Sequence, residues 1–404
     1  MVFVGIDWSE AHHDVCVVDD DGRVLAARRV GVGVEGLARL HALVAEHAEE
    51  PDDVTVGVEL DRGLLVGSLV AAGYDVRKVE PLATARFRER FGSAGGKSDV
   101  GDARVLADAV RTDAHQLQPV SGASQLADAV RVVARAHQST VWDRTRHVQR
   151  LRHTLLAYFP AALEAFDDLD HPDAVAVLSI APSPEQARRL SRSRIAAALR
   201  RGGRQRNIDR RAEQIQTALR TDHPAAPPVV ADAHATVVRS LVAIIDTLNA
   251  QVARLETELA GRFGEHPDAA ILLSFPGLGE TLGARVLGEF GDDPNRFADA
   301  NARRNYAGTS PITRASGKMR GIHARHVRNR RLADAVDAWA FSSLTRSAGC
   351  RAFYDKQRAA NRSHGQALRA LGNKLVGQLH GALRHRTPYD EQFAWRDQPI
   401  TLAA

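Results

Sequence analysis

The chain of 404 residues has few cysteines, few lysines and no long apolar run. Its two cysteines, Cys16 and Cys350, lie far apart, which argues against a disulfide framework and favours a reducing compartment. We expect both thiols to be small core residues. No apolar run approaches the roughly 18 residues of a membrane-spanning helix, so no membrane association is predicted. The opening residues, MVFVGIDWSE, lack the basic and cleavage regions of a secretory signal, so a cytoplasmic protein is expected.

Because lysine is scarce, nearly all of the basic charge comes from arginine. The formal net charge of +5 is too small, over this length, to establish nucleic-acid binding. Arginine is nevertheless the better bidentate phosphate ligand. It is most concentrated in residues 187–211, ARRLSRSRIAAALRRGGRQRNIDRR, where acid is almost absent. This stretch is either a solvated helix face or, as we favour, a phosphate-contacting surface. The residues in it that we expect to contact nucleic acid are Arg188, Arg189, Arg192, Arg194, Arg200, Arg201 and Arg204.

The first part of the chain, residues 1–112, alternates strand and helix patterns in the order βββαβαβα. VFVGID and DVTVGVEL have the pattern of buried strands, and DVCVVDDDGRVLAARRV that of two strands around a turn. A final helix is predicted to start at Pro81 and to carry Asp99 and Asp102. A three-stranded meander followed by βα units predicts a ribonuclease-H-like α/β domain, here followed by a mainly α-helical remainder.

Residues 122–263 are predicted to be almost wholly helical. From Val238 to Leu259 the apolar residues are alternately three and four apart, which is a heptad seam, and a looser seam lies within residues 124–159. Two such helices could pair within one chain or between chains. The expected domains are therefore 1–115 (ribonuclease-H-like), 116–266 (coiled coil, oligomerisation and nucleic-acid binding), 267–390 (mostly helical) and a tail, 391–404, whose end, DQPITLAA, we expect to be disordered.

Two short motifs in the last domain allow two interpretations each. PGLG, residues 276–279, is either a phosphate-binding helix-hairpin-helix or a plain interhelical turn. His323 and His326 form an H-x-x-H pair, but further zinc ligands are lacking, since Cys350 is far along the chain.

Acidic residues are placed where a metal site would need them. Asp99 and Asp102 are three residues apart and so neighbours on a helix surface. They are either ordinary acids of a first helical turn or carboxylates held together around a cation. Asp7 ends the first strand and Glu59 the fourth, and central strands of such a sheet end near one edge. Four oxygen-ligand residues suit Mg²⁺ or Mn²⁺ rather than zinc, and such ions assist phosphoryl transfer.

The ordered motifs together resemble those of a known family. Asp7, Glu59 and KSDVGDA (97–103), followed by PGLG and AGTSPITRASG (307–317), resemble the DEDD transposases of the bridge-RNA-guided insertion sequences, relatives of the pilin-gene invertases. The resemblance covers nearly the whole chain. Ser98 replaces the family's usual threonine, and the residues after Glu59 and after Ser316 depart from its pattern.

The resemblance implies a RuvC-like domain in which Asp7, Glu59, Asp99 and Asp102 hold Mg²⁺ or Mn²⁺. It also implies a serine nucleophile in the second motif, Ser316, with Ser310 as the second choice. Taken alone, Ser316 and the glycine after it would be a turn pair, and a serine hydroxyl needs activation to attack. The basic residues near the two motifs that we expect to contact nucleic acid are Lys97, Arg314, Lys318, Arg320, Arg325 and Arg328.

The family further implies a site-specific recombinase working in the bacterial cytoplasm, on nucleoid DNA. Its partners would be donor DNA, target DNA, a noncoding bridge RNA and further copies of itself, as a dimer to tetramer. Other interpretations of the same residues are a hydrolytic RuvC-like junction nuclease, an actin-like ATPase suggested by VGIDWSEAHHDVCVVDDDG, and a non-catalytic coiled-coil DNA scaffold.

Overall fold

A computed structural model describes residues 1–89, 99–120, 123–316, 319–325 and 328–396, with the backbone alone at 99–100, 314–316, 319–320 and 322. The chain separates into two compact units. The first, the sheet unit, comprises the described residues of Met1–Ser124 and Asp292–Ala298. The second, the helical unit, comprises those of Gln125–Gly291 and Asp299–Ala404. A mixed-sheet region is thus followed by a mostly helical one, as the sequence predicts.

The sheet unit is built on a mixed sheet whose strands, rich in valine, follow the predicted order. They are β1 (Val2–Trp8), β2 (His12–Val18), β3 (Val24–Gly31), β4 (Val54–Val58), β5 (Asp75–Lys78) and β6 (Gln118–Pro119). The order across the sheet is β3-β2-β1-β4-β5-β6. β1, β2 and β3 are antiparallel, β4 and β5 run parallel to β1, and β6 is antiparallel to β5. β6 was not predicted, because two residues carry no periodicity.

Helices cover both faces of this sheet: α1 (Val34–Ala45), α2 (Leu64–Ala71), α3 (Pro81–Arg88) and α4 (Asp99–Asp113). Val4 and Ile6 of β1 belong to a core shared with α1 and α2, whereas Phe3 belongs to a second core under α4. The single helix predicted from Pro81 onward is wrong, since α3 ends at Arg88 and α4 begins at Asp99. Residues 90–98 lie outside the described residues, and their sequence contains three glycines, a residue type that disfavours helix.

The helical unit contains a long series of helices and one hairpin. The helices are α5 (Gln125–Tyr158), α6 (Ala161–Ala165), α7 (Pro172–Ile180), α8 (Pro184–Arg188), α9 (Arg192–Arg201), α10 (Ile208–Leu219), α11 (Pro228–Gly264), α12 (Ala269–Leu273), α13 (Glu280–Phe290), α14 (Ala300–Ala307), α15 (Arg330–Ser343), α16 (Ala348–Ala359), α17 (His364–His385) and α18 (Glu391–Trp395). The hairpin is formed by β7 (Ile312–Ser316) and β8 (Met319–His323).

The two long helices α5 and α11 pair with each other in antiparallel fashion. Arg144 Nη1 donates to Asn249 Oδ1 at 2.9 Å, and Tyr158 stacks on His234 with ring centroids 4.9 Å apart. The seam predicted on α11 is buried or half-buried, with Val238 and Leu259 fully buried. The two seams therefore meet within one chain. By length and apolar composition α11 is also the one helix of the described residues that could cross a membrane.

Two features near the chain's end modify the sequence interpretation. The PGLG turn connects α12 to α13, and Pro276 O accepts from Trp339 Nε1 of α15 at 3.0 Å, so the turn packs on a helix as an interhelical turn would. Residues 391–395, within the expected tail, form α18, and Trp395 is fully buried. The end expected to be disordered, residues 397–404, lies outside the described residues.

Candidate active site and nucleic-acid interface

The two central parallel strands of the sheet unit end in carboxylates. β1 and β4 pair in register up to Ile6 and Val58. Asp7 and Glu59 each come one residue later, so both lie at the same edge of the sheet. The carboxyl ends of parallel strands are where α/β proteins place their ligand sites. We call this region the carboxylate edge.

Helix α4 crosses the same two strands at very close range. Gly5 and Gly57 are paired neighbours in β1 and β4. A Cβ atom added to Gly5 would lie 1.9 Å from Ala103 O, and one added to Gly57 would lie 2.6 Å from Leu106 O. Only glycine leaves room for this approach, because the obstacles are backbone atoms of the helix. The backbone contact fixes the depth of α4 over the strands.

The direction of α4 follows from its other end. Arg111, in its last turn, donates to Asp20 O at 3.2 Å. Asp20 lies in the turn after β2, beside the start of β1, because its carboxylate pairs with the N-terminal ammonium of Met1 at 3.0 Å. The first turn of α4 is therefore at the opposite edge, where β1 and β4 end. This turn carries Asp99 and Asp102.

The Asp102 side chain forms a buried ion pair. Its side chain is 9 % exposed, and Arg88 of α3 donates to its Oδ1 at 2.8 Å through Nε and 2.6 Å through Nη2. A buried carboxylate needs such a cation, since charge without a partner is strongly disfavoured in the interior. Arg88 was missed in the sequence, where it is one arginine among several in ARFRERFG.

The structure thus brings the backbone positions of Asp7, Glu59, Asp99 and Asp102 to one edge. Among the described side chains, which do not include that of Asp99, no three acidic, histidine or cysteine groups are gathered closely enough to hold a metal ion. Lys97 of the same motif lies outside the described residues.

In the helical unit, the candidate nucleophile is at the far end of the hairpin. Ile312 pairs with His323 at its base, and Ser316 pairs with Met319 at the other end. Arg314 and Arg320 lie on the paired strands, with their side chains outside those described, and Lys318 lies outside the described residues.

The base of the hairpin is tightly anchored. Gly308 ends α14 with φ +72°, and carbon atoms of the Arg328 side chain lie where its Cβ would be, at 2.3–2.9 Å. Any other residue here would meet both backbone strain and a clash. The next residue, Thr309, donates through Oγ1 to Asn373 Oδ1 of α17 at 3.1 Å. The hairpin is thereby fixed to α14 and α17.

A buried carboxylate anchors the segment that follows the hairpin. Glu289 of α13 is 4 % exposed. Arg135 donates to both its oxygens, at 2.6 and 2.7 Å, and Asn329 Nδ2 donates to Oε2 at 2.7 Å. Asn329 also donates to Tyr306 Oη at 3.1 Å, and its own Oδ1 caps α15 by accepting from Leu332 N at 3.1 Å. Glu289 therefore holds both ends of the hairpin segment to the helical core.

Opposing effects set the ionisation of Glu289. Burial raises its pKa, but the hydrogen bonds from Arg135 and Asn329 and the charges of Arg135 and Arg331 together outweigh burial, so the pKa is lowered. This residue was also missed, although a lone acid in the apolar helix sequence LGARVLGEFG is a usable signal.

The second candidate serine, Ser310, lies next to the hairpin base rather than at its end. Its hydroxyl donates to Asn305 Oδ1, which also accepts from Arg325 Nη2 at 3.2 Å. Arg325, expected to contact nucleic acid, is thus engaged with the protein. The zinc interpretation gains no support: His323 is on β8, His326 is outside the described residues, and Cys350 is a buried thiol of α16 whose pKa burial raises. Cys16 is likewise buried, and its pKa is raised by burial to about 11. Both cysteines are core residues, as predicted.

The arginine-rich stretch is less free of acid in space than in sequence. Several of its members pair with carboxylates, most of which lie outside the stretch: Arg188–Asp222, Arg189–Glu185, Arg192–Glu213, Arg200–Asp209 and Arg204–Asp173. Arg204 forms an ion pair with buried Asp173 at 2.6 Å. This pair links the segment that follows α9 to helix α7. Within the part of the chain that the structure describes, Arg194 and Arg201 are exposed and have no carboxylate partner.

Two domain models match this chain, and both describe transposases. A transposase domain of the IS110 DEDD type matches residues 4–160, which include the carboxylate edge. A domain described as a transposase of the IS116/IS110/IS902 family matches residues 269–355, which include the hairpin. The protein is thus a transposase.

Similarity to individual proteins extends over the whole length. The chain is 42% identical to the mini-circle transposase for IS117 of Streptomyces coelicolor, over 100% of this chain and 98% of that protein. It is 31% identical to the 42 kDa protein of insertion element IS900 of Mycobacterium paratuberculosis, over 96% and 97%. It is 30% identical to the 44.8 kDa protein of IS116 of Streptomyces clavuligerus, over 100% and 98%. The chain belongs to the IS110/IS116 family of insertion-element transposases.

Proposed function

We propose that this transposase cuts and rejoins DNA through the hydroxyl of Ser316, assisted by a divalent cation at the carboxylate edge and guided by a noncoding RNA. The observation that supports the proposal most is the convergence at one sheet edge of the ends of β1 and β4 with the first turn of α4. Those three segments carry Asp7, Glu59, Asp99 and Asp102, which we propose as the catalytic carboxylates.

The sheet supports a ribonuclease-H-like assignment for the first domain. An antiparallel β1–β3 meander continued by parallel β4 and β5 is the layout that the sequence suggested. We keep the domain division at 1–115, 116–266 and 267–390 as part of the proposal.

The residues present suit Mg²⁺ or Mn²⁺. All four donors are hard carboxylate oxygens, which these ions prefer. Bound there, the cation would polarise a phosphate oxygen of the DNA. The protein itself positions the four carboxylates, because the packing of α4 against β1 and β4 fixes the backbone that carries them.

The covalent step exchanges one phosphoester for another. Ser316 Oγ attacks the scissile phosphorus, the Oγ–P bond forms, and the P–O bond to one deoxyribose breaks. The serine proton passes to water, and the released deoxyribose oxygen takes up a proton. Because the ester bond is conserved in the phosphoserine, reversal on another DNA end rejoins the strand without an external energy source. Arg314, Lys318 and Arg320 would hold the phosphate oxygens.

Sequence choice would come from a bridge RNA that pairs with donor and target DNA. The protein would hold these duplexes by shape and backbone, with exposed arginines such as Arg194 and Arg201 among the contacts. Assembly into a dimer or tetramer would let the serine of one subunit act with the carboxylates of another.

Strand cleavage by carboxylate variants tests the metal component. We expect Asp102→Asn to lower cleavage of a DNA substrate by more than about a hundredfold, the upper range for groups that merely orient metal ligands. Asp108→Asn is the matched control, since Asp108 lies on α4 but pairs with Arg111 away from the edge. Removal of Mg²⁺ and Mn²⁺ should reproduce the Asp102→Asn defect. Cleavage that survives both changes would contradict the proposal.

The RNA component is tested separately. Protein purified from a bacterial host that carries the whole element should retain one abundant element-encoded RNA, which sequencing identifies. Random host RNA alone would contradict guidance and leave the cleavage proposal standing.

A further inference from the structure

A large cavity in the described part of the helical unit runs along α17. Its volume is about 1500 Å³. One face of α17 forms its floor, from Gln366 to His385, while the opposite face is packed into the core through Leu371, Leu375 and Leu379. At 1.5 Å per residue this floor is about 28 Å long. We call this cavity the α17 groove. It is too long for a small metabolite and has the proportions of a polymer site.

Nearly all of the charged residues that line the groove are cations. Its charged residues other than histidine are Arg304, Arg362, Arg369, Lys374, Arg396 and a single acid, Asp390. Within the described residues, Arg362 and Arg369 have no carboxylate partner. A concave surface of one sign concentrates field lines and attracts a polyanion.

Aromatic side chains stand among these cations. Phe393 is 68 % exposed, and the Arg396 guanidinium lies 4.6 Å over its ring. Phe353 and Tyr389 line the groove as well. Sites for single-stranded nucleic acid combine a cationic groove with aromatic rings on which bases stack. A duplex has its bases stacked inside and would not use such rings.

The groove reaches the base of the serine hairpin. Thr309, Pro311 and His323 form part of its wall. A second cavity of about 1090 Å³ shares the lining residues Thr309 and Arg369 with it. A strand lying along α17 would therefore reach the base of the hairpin.

We propose that the α17 groove binds a single DNA strand, the one that adjoins the phosphate attacked by Ser316. The choice of DNA over RNA rests on the proposed function, since the hairpin beside the groove is the element that cuts DNA. Arg362 and Arg369 contact phosphates, and Phe393 stacks on a base.

A steric variant tests occupancy without removing charge. A Cβ added at Gly381, on the groove floor, meets no atom within 4 Å, so a large side chain can enter the groove without displacing protein. We expect Gly381→Trp to weaken binding of a fluorescein-labelled single-stranded DNA at least tenfold in anisotropy titrations of the full chain. Gly261→Trp is the matched control, because Gly261 is equally open on α11, away from the groove. The melting temperatures of both variants are measured as well, and unchanged values would show that both variants fold.

Charge variants test the phosphate contacts. Arg362→Gln and Arg369→Gln should each reduce the log–log salt slope of single-strand binding by about 0.7, the value for one lost phosphate contact. Arg384→Gln controls for net charge, since Arg384 is exposed on α17 outside the groove. Phe393→Ala should weaken binding about tenfold.

The proposal is overturned if Gly381→Trp binds single-stranded DNA with wild-type affinity. It is also overturned if the salt slopes of Arg362→Gln and Arg369→Gln equal that of Arg384→Gln. A larger loss of affinity for RNA of the same sequence than for DNA would assign the groove to the guide RNA and overturn the proposal as well. Ser316→Ala separates this proposal from the proposed function. If Ser316→Ala binds single-stranded DNA normally and still cleaves DNA, the proposal for the groove is retained and the serine mechanism is contradicted.

Discussion

The carboxylate edge and the serine hairpin are held in place by different kinds of contact. At the edge, the strands and α4 meet backbone to backbone, at Gly5 and Gly57, and the register of β1 with β4 aligns Asp7 with Glu59. At the hairpin, hydrogen bonds between polar side chains fix the chain: Asn329 donates to Glu289, and Thr309 donates to Asn373.

The difference suits the two tasks that we propose. Carboxylates that share a metal need positions fixed to fractions of an ångström, which backbone packing against a sheet supplies. A nucleophile that must reach DNA lies at the far end of a hairpin, and polar contacts hold the base of that hairpin. The edge should therefore be sensitive to added volume, and the hairpin to lost charge and to acid.

The largest effect is expected at the ion pair under the hairpin. Arg135→Gln leaves Glu289 buried with its main partner gone, which costs about 3–5 kcal/mol. Hydrogen exchange should quicken in α13, α14 and α15 while the sheet unit keeps its protection. Arg146→Gln, which breaks an exposed pair with Asp143 on the same helix, should cost under about 0.5 kcal/mol. Equal protection in the two variants would show that the hairpin does not depend on Glu289.

A smaller effect, confined to the other unit, is expected at the edge. Gly5→Ala puts a methyl group 1.9 Å from Ala103 O, so α4 must shift, at an overpacking cost of about 1–3 kcal/mol. Exchange should quicken in β1 and α4 and not in α13. Gly67→Ala is the control: it lies on α2 with open space around it and should stabilise by about 0.5–1 kcal/mol. If Gly5→Ala leaves the stability unchanged, backbone contact with α4 does not determine the structure of the carboxylate edge.

The smallest effect is the acid response of the hairpin support. The pKa of Glu289 is lower in the folded protein than in the unfolded chain, so its charge stabilises the fold above the unfolded value, near 4.3, and this stabilisation is lost as pH falls through the folded pKa. The stability difference between wild type and Glu289→Gln should be constant above about pH 5 and should shrink below it. Thermal melts of both proteins across this range measure it. If the stability difference between wild type and Glu289→Gln grows as the pH falls, the pKa of Glu289 is not lowered by folding and the prediction is wrong.

The sequence alone predicts most of the sheet unit. Alternating valine runs and glycine turns mark the strands, and the positions of Asp7, Glu59 and the D-x-x-D pair follow from the order of the elements. It also predicts the apolar seams of α5 and α11, although it leaves open whether they pair within one chain or between chains. These patterns are local, so periodicity reveals them.

Long-range polar partners could not be predicted in the same way. Arg88 meets Asp102 across 14 residues, and Arg135 meets Glu289 across 154, with no period linking either pair. The sequence of residues 187–211 also did not reveal the acids that lie near its arginines, because Asp173, Glu213 and Asp222 approach them from outside the stretch. The α17 groove has no motif at all, since its walls come from four separate segments.

The most direct test of the central claim is a search for protein joined to DNA. A DNA substrate whose rejoining is blocked is incubated with Mg²⁺, and the products are run on a denaturing gel and digested for mass spectrometry. We predict a DNA end attached to Ser316, lost in Ser316→Ala and retained in Ser310→Ala. Free DNA ends from Ser316→Ala, with no attached protein in any variant, would contradict the account and make the enzyme a hydrolytic nuclease.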